Sequence, residues 1–151
     1  LSAEYKKKEV YWLYGETGTG KTRHAIERIK ESGKDYWRSN IGGGQWFNGY
    51  AGQPIALLDE VRAGEWKYST MLQILDGYEL RCPTKGGFTI WNPEIVYITS
   101  PKNPEDTYAG QLQFGDGHID QLKRRITETI HFEEVEAAEQ NPPDNVEYIE
   151  Q

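Results

Sequence analysis

Apolar side chains in this chain gather in short consecutive runs rather than in strict alternation. The clearest are EVYWLY (9–14), PIALLDE (54–60) and EIVYIT (94–99). Strands apolar on adjacent residues have both faces covered, which is the pattern of a parallel sheet packed between helices. Helical stretches separate them: one from about Lys21 to Lys30, one with Met71, Leu72, Ile74 and Leu75 on a single face, and one near Gln121 to Ile126. Between the second helix and the third apolar strand, CPTKGGFTIW (82–91) sets a lysine and two glycines among β-prone residues and predicts a hairpin. This order of elements predicts an α/β fold with a mainly parallel central sheet flanked by helices.

Composition narrows the class. With 151 residues, 36% of them hydrophobic, the chain is long enough for one core and too short for two full domains. The net charge of −7 argues against the broad basic face that coats duplex DNA, but it leaves room for a few local cations. Cys82 is the single cysteine, so no intrachain disulfide forms, and no apolar run approaches the roughly 18 residues that span a membrane. The N-terminal LSAEYKKKEV has no apolar signal-peptide core, so a reducing intracellular compartment is expected. Acidic residues and two prolines crowd the end from Glu133. The expected organisation is a solvated linker over 1–8, a domain over 9–132 and an acidic, disordered tail over 133–151.

Directly after the first strand, GETGTGKT (15–22) matches G-x-x-x-x-G-K-[ST] at every fixed position and leads into a helix. Gly15, Gly18 and Gly20 let the backbone turn tightly and aim N–H groups at phosphate oxygens, and the helix N-terminus adds a favourable dipole. Lys21 is placed to reach the β- and γ-phosphates, and the Thr22 hydroxyl to ligate Mg²⁺. Glu16, Thr17, Thr19 and Arg23 complete the nucleotide-contacting set. A glycine-rich turn would meet the pattern by chance with odds on the order of one in a hundred or less in a chain this short. ATP with Mg²⁺ is therefore the expected ligand.

The apolar strand of PIALLDE delivers Asp59 and Glu60 at its C-terminal end, where ligands of open α/β sheets collect. Asp59 is the candidate partner of Mg²⁺, through water, and Glu60 the candidate base for the attacking water. A base placed for water favours hydrolysis over transfer to a small acceptor. A small-molecule kinase remains an alternative, since kinases use the same phosphate loop, and so does a module that binds nucleotide and assembles without productive turnover.

GETGTGKT, IALLDE, LRCPTKGG, VYITSP and LKRRI, in this order within about 110 residues, resemble the superfamily 3 helicase domain. The version they resemble is that of replication initiator (Rep) proteins from circovirus-like circular single-stranded DNA viruses. The lead QWFNGYAGQ strengthens the likeness, which covers Val10 to Phe132. The resemblance implies an AAA+-like P-loop core with an inserted pore hairpin, a homo-oligomeric ring, usually a hexamer, and ATP hydrolysis between subunits. It also implies translocation on single-stranded DNA for rolling-circle replication in a host nucleus. Lys21, Thr22, Asp59 and Glu60 keep their roles under it. The strand 94–99 becomes the sensor strand, but Pro101 stands where the family carries an asparagine, leaving Ser100 or Asn103 as substitutes.

Arg124 and Arg125 resemble the arginine finger that a neighbouring subunit supplies, with Arg125 placed ahead; such fingers contribute roughly 10³ to 10⁵ in rate. A basic helix end that offsets the helix dipole is the plainer reading of the pair. Lys85, with Gly86 and Gly87 supplying permissive turn angles, is implied to grip a DNA phosphate at the hairpin tip. His24, His118 and His131 lack ligand spacing, so no second metal site is expected. Trp37, Trp46, Trp66 and Trp91 are read as packing residues rather than base-stacking ones. Full proteins of the resembled family also carry a nicking endonuclease with paired histidines, and no H-x-H pattern occurs here, so the chain is expected to be an excised helicase domain or a fragment beginning in the interdomain linker.

Overall fold

The computed structural model describes residues 1–39, 47–112 and 118–133. Chain order is β1 (Glu9–Tyr14), α1 (Lys21–Ser32), β2 (Tyr36–Arg38), β3 (Ile55–Leu58), α2 (Tyr68–Ile74), β4 (Leu80–Thr84), β5 (Gly87–Trp91), β6 (Ile95–Ser100), α3 (Pro104–Tyr108), α4 (Ile119–Arg125) and β7 (Glu128–His131). Five strands form one sheet in the order β2-β3-β6-β1-β7, every pair parallel, and β4 and β5 form a separate antiparallel hairpin.

The consecutive apolar runs have a physical cause. Alternate residues of the central strands, Val10, Trp12, Ala56, Leu58, Val96 and Ile98, join a core with Met71, Ile74, Trp91, Tyr108 and Leu122. The intervening residues, Leu13, Ile55, Leu57 and Tyr97, pack against Ala25 and Ile29 of α1. Helices cover both faces, so both sets of side chains must be apolar. Trp37, Trp66 and Trp91 are buried, as packing residues should be, and Trp46 lies outside the described residues.

Helix ends follow local chemistry. Helix α1 starts at Gly20 in the left-handed region and stops at Gly33, also left-handed, whose N–H bonds the Lys30 carbonyl. Asn103 caps α3: its side chain accepts from the Asp106 N–H at 2.7 Å, and Pro104 occupies the first turn.

Three short elements were not expected from the pattern. Strand β2 has three residues and β7 is largely exposed, so neither carries an apolar run; α3 has five residues, too few for a helical period.

The N-terminal segment, expected as a solvated linker, is tied to the domain. The Lys6 N–H bonds the Gly77 carbonyl at 2.8 Å, and Tyr5 meets Tyr78 edge to face. Gly77 permits this approach, since a Cβ there would stand 2.5 Å from the Tyr5 ring. Lys8 is buried and donates to the Pro93 carbonyl at 2.8 Å. Glu133 aside, the acidic tail lies outside the described residues. No helix among the described residues is long and apolar enough to cross a membrane.

Candidate nucleotide site and hairpin

Parallel register aligns the C-terminal ends of three strands, with Tyr14 opposite Ser100 and Leu58 opposite Ile98. The phosphate loop leaves β1 at that edge. Gly15 is required there by crowding as well as by backbone angle. A Cβ would sit 2.1 Å from the Phe132 carbonyl oxygen, and the Gly15 N–H bonds the Ser100 carbonyl at 3.2 Å. Gly18 and Gly20 take positive φ, and Thr19 Oγ1 braces the loop by donating to the Glu16 carbonyl at 2.8 Å. No side chain caps α1, so its first N–H groups are left to serve a ligand.

Lys21 is buried, and its ammonium donates to the Gly15 carbonyl at 2.6 Å and the Glu16 carbonyl at 3.4 Å. Burial lowers its pKa, while the charges of Glu60 and Asp59 push back. Arg23 is exposed on α1 beside Gly20 and lines a shallow cavity with His24 and Glu27.

Asp59 gathers the site. Its Oδ1 accepts from Thr22 Oγ1 at 2.9 Å and from Thr99 Oγ1 at 2.7 Å, and its Oδ2 accepts from Arg38 Nη2 at 2.5 Å. The Asp59 N–H is itself held by Ser39 Oγ at 3.0 Å. Burial alone would raise the carboxyl pKa, but the bonds from Arg38, Thr99 and Thr22 outweigh it and hold the group below the ordinary carboxylate value. Because Thr22 spends its proton on Asp59, its oxygen lone pairs remain available to a cation. That donor set fits Mg²⁺ with a nucleotide. Glu60 follows with φ +55, the one non-glycine residue at positive φ among those described, and its side chain is half-exposed near Arg62 at 3.7 Å.

Both sensor candidates are committed elsewhere. Ser100 is fully buried and its hydroxyl donates to the Val61 carbonyl at 2.8 Å, while the Asn103 side chain is the α3 cap. The side chain of β6 that reaches the Asp59 carboxylate is that of Thr99, which sequence reasoning missed. It bonds Asp59 Oδ1 and accepts from the Glu60 N–H at 2.8 Å. Arg38 was missed as well, because a lone arginine at the end of a three-residue strand gives no pattern to read.

The predicted hairpin is present, with Lys85 exposed at its tip. Gly86 alone takes the positive φ there, +88°; Gly87 lies in β5, so its expected turn role is corrected. The Lys85 N–H is anchored by Asn48 Oδ1 at 2.7 Å. On the outer face Phe88 is 58% exposed, and the Arg81 guanidinium sits 4.6 Å from its ring centroid, a cation–aromatic pair the sequence did not announce.

The two arginines separate. Arg125 is half-buried, donates to its own helix at the Gln121 carbonyl, and lies 3.8 Å from Asp76. Arg124 is exposed and forms no ion pair among the described residues. The Thr127 N–H bonds the Val10 carbonyl, which places the end of α4 near the opposite edge of the sheet from Gly15. Five residues of parallel strand span about 16 Å. The chain leaving α4 thus meets β1 near its start, about that far along the strand from the phosphate loop.

A glycine loop at the end of the first strand of a parallel sheet, with a buried carboxylate beside it, defines a P-loop nucleotide-binding domain. Residues 11–102 match the RNA helicase family. The chain belongs to that family, as the superfamily 3 helicase domain of the kind found in circovirus replication-associated proteins. It is 34% identical to the replication-associated protein of Goose circovirus over 82% of this chain and 39% of that protein. With the replication-associated protein of Beak and feather disease virus it shares 36% identity over 68% of this chain and 33% of that one. The solved JCV helicase is a looser match, with TM-score 0.47 and 17% identity over 85% of this chain and 36% of its own. The chain spans under half the length of the curated relatives it matches.

Proposed function

We propose that this domain hydrolyses ATP with Mg²⁺ at the junctions of a homo-oligomeric ring, a hexamer in the family's usual form, and uses the cycle to translocate on single-stranded DNA. The observation that carries the reading is the pairing of Thr22 and Thr99 hydroxyls on Asp59 Oδ1 next to a braced phosphate loop. Mg²⁺ would supply neutralisation of the negative charge that builds on the phosphates. The loop N–H groups and Lys21 bind the phosphates, Lys21 exchanging its two carbonyl partners for phosphate oxygens. Thr22, whose lone pairs are free, and Asp59 would hold the cation, the carboxylate through water. Glu60 orients the attacking water and takes its proton. Arg124, exposed and without an ion pair among the described residues, is the better-placed finger for a neighbouring subunit; Arg125 braces α4 against Asp76. Lys85 meets a DNA phosphate, and Arg81 with Phe88 offers a flat cationic face to a base.

A ring of hairpins concentrates cations around one strand, so an acidic protein can bind DNA without a basic outer surface. The decisive measurement is ATPase rate against protein concentration, with and without single-stranded DNA, for the native chain and Lys85→Ala. A steep rise with concentration, DNA stimulation in the native chain and its loss in the variant are expected. A rate per molecule independent of concentration and DNA would refute shared sites and translocation together. One observation favours a second reading, a nucleotide-dependent assembly module: Pro101 cannot donate, and Ser100 and Asn103 are already bonded. Under it Glu60→Gln leaves hydrolysis unchanged, whereas the ATPase reading expects bound ATP to be trapped.

A further inference from the structure

Arg38 has no role in the reading above, yet it occupies one of the two oxygens of the carboxylate at the centre of the site. The Asp59 side chain is 5% exposed and that of Arg38 is 44% exposed, so the guanidinium reaches in from the rim at the end of an edge strand. Thr22 and Thr99 both use Oδ1, which leaves Oδ2 to Arg38 alone. A hydrated cation held at Thr22 would draw on the same carboxylate that Arg38 occupies.

The position also has a mechanical connection. Trp37, the adjacent residue, is buried and donates through Nε1 to the Asn48 carbonyl at 2.8 Å. The side chain of Asn48 accepts from the backbone N–H of Lys85 at the hairpin tip. A line of direct contacts thus runs from Asp59 through Arg38 and Trp37 to Asn48 and Lys85. Coupling along such a line needs an element with two arrangements, and Arg38 bonded to Asp59 or released from it is that element.

We propose that Arg38 is a displaceable counter-ion of Asp59, released when Mg²⁺ and nucleotide arrive, and that its release is passed through Trp37 and Asn48 to the hairpin tip. The inference rests on the nucleotide and DNA reading above and adds to it a switch residue and a route. Removing Arg38 leaves Asp59 its two hydroxyl donors, so Arg38→Gln should fold, and Arg38→Lys keeps the charge without the fork of donors.

The test uses a fluorescent non-hydrolysable ATP analogue titrated with MgCl₂, and a labelled oligo-dT strand followed by anisotropy with and without that analogue. Arg38→Gln should lower the half-saturating Mg²⁺ concentration by about two- to fivefold, the effect expected of losing a half-exposed competing ion pair. Arg38→Lys should fall between it and the native chain. Asn48→Ala should leave the Mg²⁺ requirement at the native value. Both Arg38→Gln and Asn48→Ala should abolish the analogue's effect on strand affinity. An unchanged or higher Mg²⁺ requirement in Arg38→Gln overturns the counter-ion role, and nucleotide-responsive strand binding in Asn48→Ala overturns the route. A native chain that binds neither analogue nor strand would instead sink the functional reading on which the proposal stands.

Discussion

Glu60 should be held in place against its own backbone preference, and replacing it with glycine measures that strain. Its φ of +55° lies in the left-handed region, and the neighbouring atoms pin it there. The Glu60 N–H bonds Thr99 Oγ1 at 2.8 Å, and the Val61 N–H bonds the Thr99 carbonyl at 2.7 Å. The Val61 carbonyl also accepts from Ser100 at 2.8 Å. Left-handed φ costs a residue with a Cβ about 1–2 kcal/mol, and glycine is spared that cost. Glycine gives back about 0.4–1 kcal/mol through the greater freedom of its unfolded chain. The ion pair with Arg62 at 3.7 Å is exposed and removed equally in Glu60→Gln, so that variant is the reference. Glu60→Gly should then be more stable than Glu60→Gln by up to about 1.6 kcal/mol, centred near 0.8 kcal/mol, a rise of about 2–3 °C in Tm for a chain of this size. Both variants should lose hydrolysis while keeping nucleotide binding. Urea and thermal unfolding alongside single-turnover hydrolysis measure the two effects. A glycine variant less stable than the glutamine variant would refute the strain argument, and undiminished hydrolysis in both would refute the role of Glu60.

The remaining predictions concern the buried lysine and the arginine pair. Burial pulls the Lys8 pKa from 10.5 to about 8, against the pull of Asp76 and Glu79. Between those values the unfolded chain binds more protons than the folded one, so the native chain should gain stability relative to Lys8→Met as pH rises from 8 to 10.5. The full swing is on the order of 3 kcal/mol. A stability difference that is flat across that window in urea denaturation would rule the assignment out. Arg124→Ala should cut ring ATPase roughly a thousandfold with nucleotide affinity intact. Arg125→Ala should chiefly lower Tm, by loosening α4 from Asp76; full turnover in Arg124→Ala would dismiss it as the finger.

Much of the site could be read from residue order because its chemistry is local. The loop from Gly15 to Thr22 needs glycines, a lysine and a hydroxyl at set spacings, and the strand before Asp59 needs unbroken apolar residues to run through the middle of a covered sheet. The hairpin was legible for the same reason, since a two-residue tip with Gly86 at positive φ is a matter of neighbouring angles. What could not be read depends on which distant segments meet. Parallel pairing of β3 with β6 brings Thr99 to Asp59, and β2 at the sheet edge brings Arg38, across 40 and 21 residues respectively. The fates of Ser100, Asn103 and Arg125 were decided the same way, by a buried carbonyl, a helix start and an acidic neighbour that no spacing rule connects to them. Backbone angles and strand burial are imposed on each short stretch of chain by its own side chains, so they are written in order along it. A hydrogen bond between residues far apart exists only once the sheet has set its register, and that register is a property of the packed fold.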